Sequence, residues 1–334
     1  HLRGGLRGDY QSGWGIRLSP RLAGVLDWRG FLFRAGAGIF VYDVPSEVIV
    51  SVLEKDGMHL KEFRNFGVPL IPTGTSPSVT LPQVRVRVSP DVTRPADLLA
   101  AASVQRRLRH VSPAAEYTWT RGRHLLGSRR LPDGSGWSDV LESNRSAERH
   151  RLRTRLAFTW KAQTFTAQYE WLRSRDDVDG PFSFPEHQED LRSEWAFSSA
   201  IPRHVFTLVG NLRFPGAVSV TLTDTWRGPA PYNITTGMDL AGNALYNDRG
   251  GRARNTGQGP PYQSLSLFAH RRIVLPNLLA GPPRTICLDL GVHLDNLLGH
   301  RNLLNVGPIA GSGTFGLPLA GLPGRSVRLS FSFN

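Results

Sequence analysis

RLRTRLAFTW, residues 151–160, alternates between apolar and polar side chains along most of its length. Side chains on a β-strand point to opposite faces with a period of two, so this pattern predicts a strand with two unlike faces. The apolar face would carry Leu152, Leu156, Phe158 and Trp160. The polar face would carry Arg151, Arg153, Arg155 and Lys161.

Three more stretches, all between residues 164 and 226, repeat this alternation. Their apolar sets are Phe165, Ala167, Tyr169 and Trp171, then Phe206, Leu208, Leu212 and Phe214, then Val218, Val220, Leu222 and Trp226. The runs are about 10 to 12 residues long, whereas strands of soluble proteins usually have about 5 or 6. About 9 to 11 tilted residues carry a strand across a bilayer, and aromatic side chains mark the ends of such strands. The fold class predicted is therefore all-β, an antiparallel transmembrane β-barrel.

Composition is compatible with this prediction. The chain has 334 residues, 40% of them hydrophobic, and contains no run of about 18 apolar residues, so no transmembrane helix is expected. Its 35 glycines and 24 prolines suit many turns and loops. A single cysteine, Cys287, excludes an internal disulfide and a cysteine-based zinc cluster. No signal peptide is visible and the first residue is His1, so we expect a mature product, a fragment or an excised domain.

A net charge of +13 and a pI near 10.8 would ordinarily suggest a nucleic-acid partner. The charge is spread along the chain and is nearly all arginine, the lysines being Lys55, Lys61 and Lys161. No basic helix and no RNA-binding motif accompanies it, so nucleic acid is not the expected partner. Arginine on strands can line a water-filled lumen, and arginine in loops can pair with lipid phosphates. A soluble basic β-protein that binds polyanions remains an alternative.

The rest of the chain is predicted to alternate between strands and loops. Residues 17–28 and 31–43 form a hairpin that turns at Arg29 and Gly30, with Gly36 and Gly38 relieving crowding on one face. Other predicted strands are 116–126, 262–273, 285–294 and 325–333. Predicted loops are 45–95, which is partly structured, 127–150 and 228–261. Residues 97–109 have helical propensity without a helical apolar stripe. Short turns on one side and long loops on the other are typical of an outer-membrane barrel.

A soluble β-sandwich is the structural alternative. It would bury the apolar faces between two sheets and leave the arginine faces in water. The length of the strands and of the loops favours the barrel.

The sequence shows no motif for catalysis, so no catalytic residue and no cofactor is predicted, and the ligand-binding residues stay unidentified. Residues 311–316 fit a dinucleotide-binding glycine pattern, but no acidic residue, preceding strand or following helix supports it, so a glycine-rich loop is predicted. No nucleophile motif is present.

No metal site is predicted either. Asp239, Asn243 and Asp248 have some likeness to a calcium loop, but Ala241 and Ala244 stand where a ligand and the sharp-turn glycine belong, which favours plain turns. Residues 176–180, with three aspartates, are interpreted as a solvated hairpin turn. His187 has carboxylates beside it but no second histidine at ligand spacing.

The loops carry a family resemblance. Residues 228–237, GPAPYNITTG, then Asp239, residues 247–249 (NDR) and residues 254–257 (RNTG), resemble a run in TonB-dependent outer-membrane transporters of the Oar-like type. Further pieces occur in the same order as in that family: residues 19–22, 33–43, 175–177, 203–206, 295–302 and 327–333. Together they cover nearly the whole chain.

This resemblance implies a 22-stranded barrel in the outer membrane of a Gram-negative-type bacterium, closed by an N-terminal plug and driven by the inner-membrane TonB complex. Lipid and lipopolysaccharide would surround it, and loops would capture an unidentified ligand too large or scarce for a porin. About a dozen strands are visible, and residues 1–334 contain neither a plug nor a TonB box. We therefore expect residues 1–334 to be the C-terminal portion of the barrel. The final residue is Asn334, with the usual terminal aromatic displaced to Phe333.

Within that reading, the ligand path would be lined by Arg151, Arg153, Arg155 and Thr221. A plugless porin or an adhesion-type surface protein, in which the loops bind and nothing is pumped, remains a further alternative.

Overall fold

The computed structural model describes residues 1–56, 84–134, 136–275 and 286–333. Nearly all of its regular structure is β-strand. The strands are β1 Leu2–Gln11, β2 Gly15–Trp28, β3 Phe31–Val41, β4 Val84–Val88, β5 Ala96–Arg106, β6 Val111–Asp133, β7 Gly136–Trp160, β8 Gln163–Asp176, β9 Ala196–Phe197, β10 His204–Phe214, β11 Val218–Arg227, β12 Pro231–Tyr232, β13 Gly257–Gln258, β14 Tyr262–Leu275, β15 Ile286–Asp295, β16 Leu303–Val306, β17 Pro318–Gly321 and β18 Ser326–Phe333. One α-helix, α1, spans Ser46–Lys55, and a short 3-10 helix spans Leu191–Glu194.

Twelve of these strands form one antiparallel meander, in the order β1-β2-β3-β5-β6-β7-β8-β10-β11-β14-β15-β18. The two short strands β4 and β9 pair with β7 and β8. Strands β1 and β18 stand at the two ends of the sheet. The predicted fold class, a partial antiparallel barrel of about a dozen strands with long loops on one side, is confirmed.

The strand register sorts side chains into two faces. Arg34, Ser103, Glu116, Arg153 and Glu170 pair in one row across β3, β5, β6, β7 and β8, and define the polar face. Shifting by one residue gives the row Phe33, Val104, Ala115, Thr154, Tyr169 and Phe206, which belongs to the apolar face. A one-residue slip would exchange the two faces, so the alternating pattern fixes the register.

The apolar face is exposed rather than covered by protein. Leu156 is 50% exposed, Leu208 42% and Leu329 73%. The other sheets in the described part of the chain are two-stranded pairs, β12–β13 and β16–β17. The β-sandwich alternative is therefore wrong, because no second layer within the described ranges buries these side chains.

A carboxylate interrupts the apolar face. Asp224 on β11 lies in register with Leu208 and Leu265, between apolar neighbours, and its Oδ1 is buried without a hydrogen-bond partner in the described structure. A carboxylate in such surroundings is costly, and its effect on stability can be measured.

Buried apolar side chains are concentrated on the long-loop side of the sheet. Their cluster comprises Val44, Val48, Val52, Val86, Val92, Leu126 and Leu141, with Trp14 packed against it. Val48 and Val52, one helical turn apart, are the buried face of α1, and Lys55 in its last turn suits the helix dipole. Residues 45–95, predicted as a partly structured loop, thus include α1 and β4, and residues 57–83 lie outside the described ranges. No helix in the described part of the chain is long and apolar enough to span a membrane.

The structure decides one open point and contradicts one prediction of local structure. Residues 97–109 form no helix, because β5 pairs with both β3 and β6 and these ladders override local propensity. Residues 127–150 are not a loop, because β6 and β7 continue as a pair to the turn between Asp133 and Gly136. In that extension the cross-strand pair Arg130–Asp139 makes two hydrogen bonds, of 2.7 and 2.9 Å, so ion pairs replace the apolar pattern.

The prediction that Gly38 relieves crowding is confirmed. A Cβ there would lie 2.9 Å from Cγ of Arg21 and 3.0 Å from the carbonyl oxygen of Pro20. Strand β1 was not predicted, and its sequence LRGGLRGDYQ shows why, since its glycines break the alternation.

Candidate functional site

The centre of the polar face is organised around Glu170. Its Oε1 accepts hydrogen bonds from Nη2 of Arg151 and Nε of Arg153, both at 2.7 Å, and from Nε2 of Gln168 at 3.2 Å. Two guanidinium groups thus share one carboxylate. The predicted grouping of Arg151, Arg153 and Arg155 on one face is confirmed, since Arg155 pairs with Gln168 in the same register.

Next to Glu170 the polar face forms a hollow of about 210 Å³. Its charged lining residues are Arg34, Glu116, Arg153 and Arg155, with Ser103, Gln105 and Gln168 adding neutral polar groups. In the described structure Arg34 and Arg155 form no ion pair. Arg153 is paired with Glu170, but Arg34 and Arg155 against the single carboxylate of Glu116 still leave the hollow cationic, so an anionic group would be attracted to it.

Thr221 lies on the same face but away from these arginines. It is on β11, three strands from β7, and its Oγ1 donates to Oδ1 of Asn211 at 3.0 Å. The structure thus brings the three predicted arginines together, whereas Thr221 lies in another part of the polar face, beside Asn211.

Above the sheet, on the long-loop side, the loops at residues 177–203 and 228–261 are joined by a buried ion-pair cluster. Arg249 donates through Nη1 and Nη2 to the two carboxylate oxygens of Glu194, both at 2.8 Å, and its Nε lies 2.8 Å from Oε2 of Glu186. The three side chains are 4, 3 and 6% exposed. The backbone N–H of Arg249 also donates to Oε1 of Glu186 at 2.7 Å.

A second arginine joins the same two loops to the end of β8. Nη1 of Arg254 lies 2.8 Å from Oδ1 of Asp176, and Nη2 lies 2.6 Å from Oδ1 of Asp179. Burial acts to lower the pKa of Arg254, but the charges of Asp179 and Asp176 outweigh it, and the pKa is raised. We name the residues Asp176, Asp179, Glu186, Glu194, Arg249 and Arg254 the loop cluster.

The aspartates at 176–180 are therefore not a solvated turn. Asp176 and Asp179 pair with Arg254, and Asp177 is turned inward, accepting from the backbone N–H of Ser146 at 2.8 Å and its hydroxyl at 3.1 Å. Burial raises the pKa of Asp177.

Arg145 lies beneath the loop cluster and is almost completely buried. Its Nη2 donates to the carbonyl of Ser128 at 3.2 Å, while Nε and Nη1 have no hydrogen-bond partner in the described structure. Burial lowers its pKa, although Asp177 and Glu142 oppose the change. A Cβ at Gly127 would lie 2.6 Å from Nε of Arg145, so only glycine leaves room for this side chain.

The acidic residues of the 228–261 loop stabilise its turns. Oδ1 and Oδ2 of Asp239 accept from the backbone N–H groups of Asn243 at 3.0 Å and Ala244 at 2.8 Å. Oδ2 of Asp248 accepts from the N–H of Leu240 at 2.7 Å. These bonds support the interpretation of the segment as plain turns.

A third loop, residues 296–325, attaches to the second. Thr235 donates its N–H to the carbonyl of Pro308 at 3.0 Å and accepts from the N–H of Ala310 at 2.8 Å. Residues 311–316 lie in this loop between β16 and β17, as the glycine-rich loop prediction requires.

Solved structures with this fold are outer-membrane transporters and receptors. The outer membrane transporter YddB from Escherichia coli matches with a TM-score of 0.67 at 12% identity, over 98% of this chain and 42% of that chain. The FrpB iron transporter from Neisseria meningitidis matches with a TM-score of 0.59 at 12% identity, over the same shares. The ferric enterobactin receptor PfeA from Pseudomonas aeruginosa matches with a TM-score of 0.63 at 16% identity, over 99% of this chain and 42% of that chain.

The fold is thus that of an outer-membrane β-barrel transporter, and the chain spans less than half the length of these structures. No protein-family model matches the sequence. No curated protein matches it either.

The stretches that carry the family resemblance meet in the loop cluster. Arg249 comes from the NDR stretch, Arg254 from RNTG, and Asp176 from residues 175–177. Glu186 and Glu194, the ion-pair partners of Arg249, were not predicted: Glu186 was noted only as a carboxylate beside His187, and Glu194 had no sequence signal.

Proposed function

We propose that this chain is the barrel portion of an energy-coupled outer-membrane transporter of the TonB-dependent class, Oar-like in its loops. The observation that carries the proposal is the sheet itself: long antiparallel strands with an exposed apolar face and an arginine-lined polar face. Lipid and lipopolysaccharide would cover the apolar face, and water would fill the space behind the polar face.

In this mechanism the loops capture the ligand, and the ion pairs of the loop cluster hold the capturing surface together. A plug domain, contributed by the part of a longer protein that this chain does not span, closes the barrel. The TonB complex displaces the plug, and the ligand passes along the polar face beside Arg151, Arg153, Arg155 and Thr221.

The energy coupling is tested on the full-length gene product in a Gram-negative host. We expect the protein in the outer-membrane fraction, crosslinking to TonB in vivo, and closed in planar bilayers because the plug blocks the pore. Stable open channels without a TonB crosslink would instead identify a porin. A protein that stays soluble without detergent would contradict both.

A further inference from the structure

The polar face contains a second hollow, near its short-turn end. It measures about 530 Å³ and lies between the β7–β8 turn and strands β10 and β11. Pockets for small molecules commonly measure about 300 to 1,000 Å³. Its polar lining residues are Lys161, Thr164, Asn211, Arg213, Ser219 and Thr221.

One wall of this hollow is a chain of neutral hydrogen bonds. Oγ1 of Thr221 donates to Oδ1 of Asn211 at 3.0 Å, and Nδ2 of Asn211 donates to Oγ1 of Thr164 at 3.3 Å. The three residues lie in one register row across β8, β10 and β11. A hydroxyl can both donate and accept and an amide nitrogen has two hydrogens, so this wall retains bonding capacity for ligand hydroxyls.

The charge of the hollow is entirely positive, because Lys161 and Arg213 line it and no carboxylate does. Arg213 is held in place through its backbone, whose N–H and carbonyl both bond to the side-chain amide of Gln163, at 2.7 and 2.8 Å. Its guanidinium forms no ion pair in the described structure. Lys161 lines the hollow as a residue of the β7–β8 turn, and its Nζ lies 5.0 Å from the centre of the Trp160 ring.

We propose that this hollow binds the anionic group of a hydroxyl-rich ligand, a sugar phosphate or a sugar acid. A guanidinium fork matches the geometry of phosphate and carboxylate oxygens, and the Thr–Asn–Thr wall supplies partners for sugar hydroxyls. The inference rests on the proposed function, since transport brings the ligand along the polar face. The hollow would be its last contact before the short-turn side.

The test is calorimetric titration of the full-length protein in detergent micelles with glucose 6-phosphate, glucuronate and glucose. We expect both anionic sugars to bind more tightly than glucose, and their ratio identifies the preferred anion. The double substitution Lys161→Gln and Arg213→Gln is expected to lower the affinity for both anionic sugars by about tenfold or more, because charge-assisted hydrogen bonds are stronger than neutral ones. Thr221→Val should lower the affinity for all three sugars by a smaller factor.

Arg29→Gln is the matched control. Arg29 and Lys161 both follow a tryptophan at a strand end, adopt φ of 51° and 53°, and place their cations 5.0 Å from that tryptophan ring. Arg29 lies outside the hollow, so its removal should not change binding. Equal binding of glucose and glucose 6-phosphate, or an equal loss in Arg29→Gln, overturns the proposal.

Fractionation of the cells that express the protein distinguishes a failure of the binding proposal from a failure of the transporter proposal. Protein found in the outer membrane that binds neither anionic sugar refutes the hollow alone. Protein absent from the outer membrane refutes the transporter.

Discussion

In the sheet a carboxylate is enclosed by arginines, whereas in the loop cluster an arginine is enclosed by carboxylates. In the sheet, Leu156 is half exposed while Glu170 is enclosed by arginine and glutamine side chains. In the loops, the enclosed groups are Arg249 and two glutamates, and they hold residues that are far apart in sequence. A sheet surrounded by hydrocarbon is stabilised by its closed backbone hydrogen bonds, whereas a loop in water needs contacts of its own.

The largest expected effect comes from Arg249→Met. It would leave Glu186 and Glu194 buried without a counter-charge, a loss of about 3 to 5 kcal/mol for a broken buried pair. Hydrogen exchange should accelerate in residues 177–203 and 228–261 while the β10–β11 amides stay protected.

Arg301→Met serves as the control for this experiment, since Arg301 is exposed and forms no ion pair with any described residue. Combining Arg249→Met with Glu186→Leu and Glu194→Leu should recover much of the loss, because no buried charge remains. Unchanged loop exchange in Arg249→Met would show that these ion pairs do not hold the loops.

The next effect in size concerns the apolar face. Leu156→Arg should destabilise the protein in lipid vesicles by about 2 to 4 kcal/mol, the cost of a charge at mid-membrane on the lipid side. Ala157→Arg changes the adjacent residue, which points to the polar face, and should cost much less. Urea unfolding from vesicles measures both, and the reverse order would exchange the assignment of the faces.

The smallest effect is a gain. Asp224→Leu should raise the free energy of unfolding in vesicles by up to about 1 kcal/mol, because it removes a buried, unpartnered carboxylate close to the Trp226 end of β11. Thr223→Leu, on the polar face, should give no such gain. A destabilised Asp224→Leu would mean that the carboxylate has a partner in the membrane.

The strands in contact with lipid could be predicted from the sequence better than the parts of the chain outside the lipid. The strands within residues 151–176 and 204–226 alternate because one side faces hydrocarbon, so their faces and register follow from period two alone. Beyond the lipid that constraint ends, and the ends of β6 and β7 lose the pattern although the strands continue. Asp224 breaks the alternation, so the period-two pattern does not predict a carboxylate at this position of the apolar face.

The candidate sites were only partly predictable. Arg151, Arg153 and Arg155 share a face by parity, but the hollow beside them also needs Arg34 and Glu116 from other strands. Arg254 and Asp176 are 78 residues apart, and Arg249 and Glu194 are 55 apart. No local pattern encodes such pairs, because a buried ion pair depends on which loops meet.

The attachment of three loops to one another has an immunological consequence. Arg249 and Arg254 join residues 177–203 to 228–261, and Thr235 joins the latter to 296–325. An antibody raised against the folded protein would recognise a discontinuous epitope assembled from all three segments. Synthetic peptides copied from any single segment would lack that shape, so antibodies raised against them would bind the folded protein poorly.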